Sequence, residues 1–283
     1  MTDILRAGVM GWPVSHSLSP RLHGHWLARY KIDGSYEALA VEPAGLVEAL
    51  SRLAEKGFQG VNLTVPHKEA ALALADTVDD TARRIGAVNT IVVGKDGELA
   101  GSNTDAFGFI ENLRDHVGGQ VAAGWSGRPV TVLGAGGAAR AVCTALLDRG
   151  VADIRLVNRT AERAVSLAEQ LPGLGQCTTI VPWRDRAEAL DGAGLLVNTT
   201  ILGMTGQEPL ELDLADLPID AAVNDIVYAP LETALLAQAR QRGNQVVDGL
   251  GMLLHQARPG FRGWFGVDPT VDDELRQAVL AGM

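Results

Sequence analysis

The sequence predicts an α/β protein built from two domains. Short apolar runs of strand length alternate with helical patterns along most of the chain. The composition agrees, because 47% of the residues are apolar, only 5% are aromatic and 33 are glycines, as suits helices packed on sheets through many strand-to-helix turns. The length of 283 residues is near that of two domains and can supply two hydrophobic cores.

The net charge and the cysteine content exclude several classes of protein. A formal net charge of −10 gives no basic field for nucleic acid. Cys143 and Cys177 are not spaced as a disulfide framework, which fits a reducing compartment. Residues 1–10 lack the apolar core of a signal peptide, and no run approaches the roughly 18 apolar residues of a membrane span. We therefore expect a cytoplasmic protein that binds neither nucleic acid nor a membrane.

The N-terminal part of the chain predicts an α/β unit. A helix is expected at Ser19, which would be its N-cap, with Pro20 at its first position. A second helix is expected to open at Pro66, and the turn signal at residues 95–97 predicts a hairpin. The predicted strands are residues 7–10, 36–41, 61–65 and 88–93.

A polar, glycine-rich segment, residues 118–128, indicates a surface connection into a second α/β unit. Strand and helix patterns alternate again after it, beginning with a βαβ unit. The predicted strands are residues 129–133, 154–157, 195–197, 222–226 and 245–247. The predicted helices are residues 137–147, 161–170 and 231–241.

A glycine-rich turn follows the first strand of this second unit. Residues 134–139 match G-x-G-x-x-G/A directly after a strand and at the start of a helix. The backbone of this turn could approach a pyrophosphate, whose charge would lie at the helix N-terminus. A turn that only packs helix against strand is the alternative, and the complete βαβ context favours dinucleotide binding. The turn residues are Gly134, Ala135, Gly136, Gly137 and Ala138.

The next strand ends in Asn158, Arg159 and Thr160. NAD-binding folds place an acidic residue near this strand tip for the ribose hydroxyls, whereas a 2′-phosphate favours arginine. No acid stands at the tip, and Arg163 lies one helical turn beyond Arg159, so two guanidinium groups could bind the phosphate. We therefore expect NADP rather than NAD; the alternative is that both arginines are solvated surface charges.

Two polar segments carry candidate groups for proton transfer. Alternation places Asn62 and Thr64 on one face of a strand, with Lys68 at a helix start. Asn103 and Asp105 precede another helix. Hydride transfer needs a proton donor and acceptor near the reacting oxygen. Spacing alone leaves the assignment open, because Lys68 could be a solvated lysine and Asn103 or Asp105 a helix cap.

Seven separate blocks carry a combination of motifs that runs through almost the whole chain: residues 11–20, 62–68, 86–90, 103–105, the turn at 134–139, 158–160 and 248–256. In sequence and in order these blocks resemble the shikimate dehydrogenase family. One departure lies in residues 198–204, a loop that resembles the wall on the nicotinamide side, where the family more usually has alanine and small residues.

The resemblance implies a role for individual residues. Lys68 and Asp105 resemble the catalytic pair, in which Lys68 would protonate or polarise the developing alkoxide and Asp105 would orient the same region. Ser19 as a cap and Asn89 as a buried turn residue remain alternatives. The residues that resemble the substrate-binding set are Ser17, Ser19, Asn62, Thr64, Lys68, Asn89, Asp105, Tyr228 and Gln256. The residues that resemble the cofactor-binding set are the turn residues named above, Asn158, Arg159, Thr160, Arg163, Thr199, Ile226 and Gly249.

The resemblance also implies an architecture and an activity. The implied architecture has two domains with a cleft between them. The substrate domain would be residues 1–105 with 250–283, and the Rossmann-like NADP domain residues 106–249. The implied activity is the reversible NADPH-dependent reduction of 3-dehydroshikimate to shikimate in aromatic amino-acid biosynthesis, by a monomer or homodimer. Four alternatives remain open. They are a quinate/shikimate dehydrogenase, an aminoshikimate relative, a non-catalytic module that binds metabolites of this pathway, and an NADP-binding structural protein. We expect no metal, because the sequence has neither an HExxH motif nor a cysteine cluster.

Overall fold

The computed structural model describes residues 4–282, apart from the side chains of residues 122, 124 and 126. Within this range the chain divides into two compact units. The first contains the residues up to Thr104 and those from Leu254 onward, and the second is Asp105–Leu253. Among residues 4–282, no helix is both long enough and apolar enough to cross a membrane.

Strands and helices alternate through both units. The strands are β1 (Leu5–Gly11), β2 (Gly34–Ala40), β3 (Phe58–Leu63), β4 (Thr77–Val78), β5 (Thr90–Val93), β6 (Leu99–Ser102), β7 (Val130–Leu133), β8 (Ile154–Asn158), β9 (Thr178–Pro182), β10 (Leu195–Asn198), β11 (Ala222–Asp225) and β12 (Gln245–Val247). The α-helices are α1 (Ser19–Arg29), α2 (Leu46–Ser51), α3 (Asp80–Ile85), α4 (Asp105–Ala122), α5 (Gly137–Asp148), α6 (Ala161–Gln170), α7 (Ala234–Arg242), α8 (Leu250–Phe265) and α9 (Asp273–Leu280).

The first unit contains a mixed sheet with the order β2-β1-β3-β5-β6-β4. β1 pairs in parallel with β2 and β3, whereas β5 runs antiparallel to β3 and β6. The central strands β1 and β3 are buried along most of their length, as expected where both faces of a sheet are covered. Phe58 and Leu63 of β3 belong to a buried apolar cluster that also contains Leu50 of α2. Helix α1 packs against β2 and α9.

The second unit contains a parallel sheet with the order β12-β11-β10-β7-β8-β9. With β7 counted as the first strand, this is the doubly wound order 3-2-1-4-5-6 of dinucleotide-binding folds. Helix α6 packs on β8 and β9, and α7 packs on β11 and β12. The predicted α/β class is confirmed, and the sheet order places a topological switch between β7 and β10, where such folds bind their ligands.

Most local predictions in the second unit are confirmed. The helix at Ala161–Gln170 and the strand at Gln245–Val247 have the predicted bounds. The helix predicted from residue 231 instead begins at Ala234, because the Thr233 side chain caps it by accepting a hydrogen bond from the Leu236 N–H at 3.3 Å. Strand β9 was not predicted from the sequence.

The predicted connection at residues 118–128 is wrong. Helix α4 continues to Ala122 through a kink at Val117, and a 3₁₀ turn follows at Gly124–Gly127. Val121 and Trp125 are each only 3% exposed. Burial of these apolar side chains stabilises a helical path that the glycines and polar residues of the segment do not favour.

Two predictions of helix starts in the first unit are also wrong. Ser19 is the first residue of α1 rather than its N-cap, and its N–H donates to the Ser17 Oγ at 3.3 Å. No α-helix opens at Pro66, since the chain forms a turn there and then a 3₁₀ helix at Ala70–Ala73. The hairpin predicted at residues 95–97 is confirmed by the antiparallel pair β5 and β6.

Candidate active site

A buried polar network in the first unit is organised around Asn62. This residue lies near the end of β3, where it pairs with Thr90 of β5, and it is 5% exposed. Its amide nitrogen donates to the Asn89 carbonyl oxygen at 3.2 Å and to the Thr90 Oγ1 at 3.1 Å. Its amide oxygen accepts from the Tyr36 hydroxyl at 2.7 Å. The orientation of the Asn62 amide is therefore fixed by three neighbours.

The network continues through Asn89, which is 2% exposed. The Asn89 Oδ1 accepts from the Thr90 hydroxyl at 2.9 Å and from the Thr104 N–H at 2.9 Å. The Thr104 hydroxyl lies 3.2 Å from this oxygen and 3.4 Å from the Oε1 of Gln256. Three of the predicted substrate residues, Asn62, Asn89 and Gln256, are thus brought into one connected set.

An aromatic cluster packs behind Asn62. The His23 ring stacks on Tyr36 with 3.9 Å between ring centroids, and it also contacts Trp26, Phe261 and Trp264. Complete burial lowers the pKa of His23 to about 3, so that the ring is neutral near neutral pH. Burial also raises the pKa of Tyr36 well above its ordinary value, so its hydroxyl keeps the proton that it donates to Asn62.

The turn after β3 carries Thr64 and Lys68, which are both half-buried. The Thr64 N–H donates to the Met10 carbonyl at 2.9 Å, and the Lys68 carbonyl accepts from the Val88 N–H at 2.8 Å. The His67 ring lies 2.8 Å from the Val41 carbonyl oxygen. These bonds fix the turn to its neighbours without an α-helix. Ser17 is half-buried and Ser19 is buried, at the start of α1.

Asp105 is the first residue of α4 and belongs to the second unit. A carboxylate in the first turn of a helix is favoured by the partial positive charge of the helix N-terminus. Asn103, just before it, donates from its amide to the Ala87 carbonyl at 3.0 Å. This bond anchors the loop ahead of α4 to Ala87.

The glycine-rich turn joins β7 to α5 as predicted. Gly134 has φ +109°, and a Cβ there would lie 2.5 Å from the Thr199 Oγ1. A Cβ at Gly136 or Gly137 would instead meet nothing within 4 Å. The turn is therefore closed on its sheet side and open at the N-terminus of α5. This geometry suits the close approach of a pyrophosphate.

The tip of β8 carries the residues predicted for the 2′-phosphate. The Asn158 amide donates to the Thr160 carbonyl at 2.8 Å and so shapes the tip. Arg159, Thr160 and Arg163 are exposed. A Glu208 carboxylate oxygen lies 3.9 Å from the Arg159 guanidinium, with both side chains largely exposed. Such an exposed pair is weak and leaves Arg159 available to a phosphate.

The remaining residues predicted to bind the cofactor, Thr199, Ile226 and Gly249, follow β10, β11 and β12. The Thr199 hydroxyl donates to the Leu133 carbonyl at 2.6 Å. A Cβ at Gly249 would collide with the carbonyl of Ile226, so this close approach requires glycine. Tyr228 lies two residues beyond Ile226 and is half-buried, and burial raises the pKa of its hydroxyl. Among the described residues no cluster of three histidine, cysteine or acidic side chains could hold a metal ion.

Comparison with known proteins agrees with these features. The family model for the shikimate dehydrogenase substrate binding domain matches residues 9–91, and the model for shikimate / quinate 5-dehydrogenase matches residues 117–201. A shikimate dehydrogenase (NADP(+)) from Paramagnetospirillum magneticum is 60% identical over 275 residues, which cover 97% of this chain and 98% of that protein. This chain belongs to the shikimate dehydrogenase family.

Solved structures of family members have the same fold. The shikimate 5-dehydrogenase from Thermus thermophilus, in complex with NADP(H) and shikimate, has a TM-score of 0.85 and 40% identity, covering 99% of this chain and 100% of that one. The quinate dehydrogenase from Corynebacterium glutamicum, in complex with NAD, has a TM-score of 0.90 and 30% identity, covering 98% and 99%. The fold thus occurs with either substrate and either cofactor among these relatives.

Sequence reasoning missed several polar residues around the sites of this family member. Tyr36 was interpreted only as part of a strand, and Thr90 and Thr104 only as parts of matching blocks. Asn198 and Asp225 are each 0% exposed although both are polar. A polar residue at the end of an otherwise apolar strand was the signal that could have identified these last two.

Proposed function

We propose that this chain is an NADP-dependent shikimate dehydrogenase that reversibly reduces 3-dehydroshikimate to shikimate in aromatic amino-acid biosynthesis. The observation that carries this proposal is the buried network of Asn62, Asn89, Thr104 and Gln256. A set of fixed, neutral hydrogen-bonding groups suits a ring that bears several hydroxyls. The names of the relatives at 60% and 40% identity, a shikimate dehydrogenase (NADP(+)) and a shikimate 5-dehydrogenase, support the same function.

The substrate contacts divide by chemistry. Ser17 and Ser19, with Tyr228, would bind the carboxylate through hydroxyl donors, which fix its orientation without burying a further charge. The Asn62 amide oxygen already accepts from Tyr36, so its second acceptor position would take a ring hydroxyl. The other residues proposed to contact the ring are Thr64, Lys68, Asn89, Asp105 and Gln256.

Lys68 and Asp105 would act at the reacting oxygen. NADPH, when bound, supplies the hydride that reduces the C3 carbonyl. The Lys68 ammonium would donate a proton to the oxygen that becomes the hydroxyl, and in the reverse direction the neutral amine would accept it. Asp105 would hold the same hydroxyl in position by hydrogen bonding. The presence of both residues favours an enzyme over a non-catalytic binding module.

The residues of the second unit fit NADP. The open turn at the start of α5 would bind the pyrophosphate through backbone N–H groups, and Arg159 with Arg163 would bind the 2′-phosphate. The lack of an acid at the tip of β8 disfavours the ribose contact of an NAD enzyme. The residues proposed to bind NADP are Gly134, Ala135, Gly136, Gly137, Ala138, Asn158, Arg159, Thr160, Arg163, Thr199, Ile226 and Gly249.

Substrate binding and NADP binding are assigned to different parts of the chain. We assign substrate binding and catalysis to residues 1–105 with 250–283, and NADP binding to residues 106–249, apart from Tyr228, which is proposed to bind the substrate carboxylate. We further propose that the enzyme works in the cytoplasm as a monomer or homodimer. Sedimentation of the purified protein would distinguish the two oligomeric states.

Quinate oxidation is the second candidate, because the quinate dehydrogenase from Corynebacterium glutamicum shares the fold with a TM-score of 0.90. Purified protein should be assayed with shikimate and quinate, each with NADP⁺ and NAD⁺, by following absorbance of the reduced nicotinamide. We expect rapid reduction only with shikimate and NADP⁺. Preference for quinate or for NAD⁺ would move the assignment to that branch, and no turnover in any pairing would contradict enzymatic function on these substrates.

A further inference from the structure

Asp225 lies at the end of β11 and is completely buried. Its Oδ1 accepts from the Asn198 amide at 3.0 Å and from the Val227 N–H at 3.1 Å. Its Oδ2 accepts from the Thr233 hydroxyl at 2.7 Å. One carboxylate therefore joins the end of β10, the loop after β11 and the N-terminus of α7.

We call Asp225 and its three donors, Asn198, Val227 and Thr233, the hub. Asn198 connects the hub to the loop after β10. It pairs with Asp225 across the parallel strands and is also completely buried. Its amide nitrogen donates to the Leu202 carbonyl at 3.2 Å as well as to Asp225, and its oxygen accepts from the Thr200 N–H at 3.1 Å and hydroxyl at 2.8 Å. The bonds to Thr200 and Leu202 therefore depend on the orientation of a single amide, while Thr199 between them and Asn198 is also held by its N–H and hydroxyl bonds to the Leu133 carbonyl.

The sheet order places this hub beside the proposed cofactor site. Asn198 pairs with Leu133 of β7, and Gly134 begins the glycine-rich turn immediately afterwards. In the order 3-2-1-4-5-6, the strands β10 and β11 lie on the opposite side of the switch point from β8, whose tip carries Arg159. The hub thus lies on one half of the sheet, next to Thr199 and Ile226, and the proposed 2′-phosphate site lies on the other half.

The chemistry of the hub suits orientation rather than proton transfer. The three donors to Asp225 are neutral, and burial raises its pKa to about 6, so the carboxylate is mostly ionised near neutral pH. A buried carboxylate without a cation reduces stability. In return, an acceptor with two oxygens fixes three donors from separate segments at once.

We propose that Asp225 is a positioning residue for the nicotinamide half of NADP. It acts through Asn198 and the Val227 N–H, which set the loops that carry Thr199 and Ile226, and it makes no contribution to binding of the adenosine 2′-phosphate half. This inference rests on the proposed function, because it takes NADP as the ligand of the second unit.

The test compares whole NADP⁺ with a probe that lacks nicotinamide. Dissociation constants of NADP⁺ and of adenosine 2′,5′-bisphosphate are measured for the wild type and for Asp225→Ala, together with kcat and KM for NADP⁺. We expect Asp225→Ala to weaken NADP⁺ or reduce kcat/KM by about tenfold or more, because it removes the acceptor of three buried donors. The dissociation constant of the bisphosphate should change by less than about twofold.

Two further variants separate positioning from stability. Asp225→Asn keeps one oxygen for Asn198 and Val227, and its new amino group can donate to Thr233, so we expect kcat/KM within about threefold of wild type. Asn224→Ala is the matched control: Asn224 precedes Asp225, is 1% exposed and ties β11 to the Val247 carbonyl of β12 at 2.9 Å. It should lower the Tm while leaving both dissociation constants unchanged.

Two results would overturn the inference. One is wild-type kinetics in Asp225→Ala with only a lower Tm, and the other is an equal loss of affinity for NADP⁺ and the bisphosphate. If Asp225→Ala does not fold, Asn198→Ala can be used instead, because it removes the loop bonds while Asp225 keeps two donors. It should weaken NADP⁺ and leave the dissociation constant of the bisphosphate nearly unchanged. Because the two dissociation constants need no substrate, the inference is tested even if the substrate assignment fails. If neither ligand binds the wild type, the proposed NADP function fails instead.

Discussion

Tyr36 and Asn62 are joined by a 2.7 Å hydrogen bond in which the tyrosine hydroxyl donates to the asparagine amide oxygen. The donor is held in place by the stack of His23 on Tyr36 within the aromatic cluster. The bond connects the apolar core of the first unit to the polar network proposed for the substrate. Its two partners lie on β2 and β3, which are each paired with β1 and not with one another.

Replacement of Tyr36 by phenylalanine should weaken substrate binding. The Asn62 amide would lose one of the neighbours that fix its orientation, and a lost hydrogen bond of this kind costs about 1 kcal/mol. We expect the KM for shikimate to rise about fivefold with a smaller change in kcat, measured by steady-state kinetics. Tyr30→Phe is the control, because its exposed hydroxyl contacts Thr270 instead. An unchanged KM in Tyr36→Phe would show that the bond does not orient Asn62.

Replacement of Lys68 by methionine should act mainly on turnover. The variant keeps an unbranched side chain of similar length but removes the proton donor, which is worth about 10²- to 10⁴-fold in rate. We expect kcat to fall within that range while the dissociation constant of shikimate changes much less. Lys95→Met, on the exposed turn between β5 and β6, should retain normal kinetics. Near-normal turnover in Lys68→Met would remove Lys68 from its catalytic role.

The sequence predicted the second unit more completely than the first. Hydrophobic periodicity and the glycine pattern are local signals, so β7, the turn at Gly134, α5, β8 and α6 could all be predicted from short windows. The prediction of a surface connection at residues 118–128 was wrong because the burial of Val121 and Trp125 is a tertiary effect, which outweighs the local composition.

The candidate site was predicted residue by residue but not as a network. Strand alternation and the family resemblance both indicated Asn62, and the resemblance indicated Asn89, whereas their bonds to Tyr36 and Thr104 depend on the pairing of distant segments. The same limit applies to Asp225, whose donors come from three separate segments. Sequence patterns identify such a residue as unusual but do not identify its partners.

Replacement of Arg159 by alanine should weaken NADP⁺ selectively. The loss of a charge-assisted contact to the 2′-phosphate should raise the KM for NADP⁺ about tenfold to a hundredfold, with little change in kcat. Added salt should raise the KM of the wild type more than that of the variant, because the contact is exposed and screened. Arg184→Ala, at a side chain that is 85% exposed, should leave both parameters unchanged. An equal rise in the KM for NAD⁺ would contradict recognition of the 2′-phosphate.

His23 should make the stability of the protein depend on pH. Burial lowers its pKa from 6.5 to about 3 in the folded protein. Between these two values the unfolded chain binds a proton that the folded chain does not, so stability is fully present above 6.5 and decreases as the pH falls. Asp225 acts in the opposite direction, since its pKa rises from 3.8 to about 6 and the folded protein gains stability as the pH falls through that window.

The contribution of His23 can be isolated with His23→Phe, which keeps a flat ring against Tyr36 but cannot be protonated. Between about pH 7 and pH 5 the wild type should lose about 2 kcal/mol of stability through His23. This loss corresponds to about 5 °C in Tm, so on going from pH 7 to pH 5 the change in Tm of the wild type should be less favourable than that of His23→Phe by about 5 °C. His16→Phe, a substitution at an exposed histidine, should behave like the wild type. Each variant is compared with itself at the two pH values, so any change in packing cancels. Parallel Tm curves for the wild type and His23→Phe would mean that His23 does not remain neutral in the folded protein.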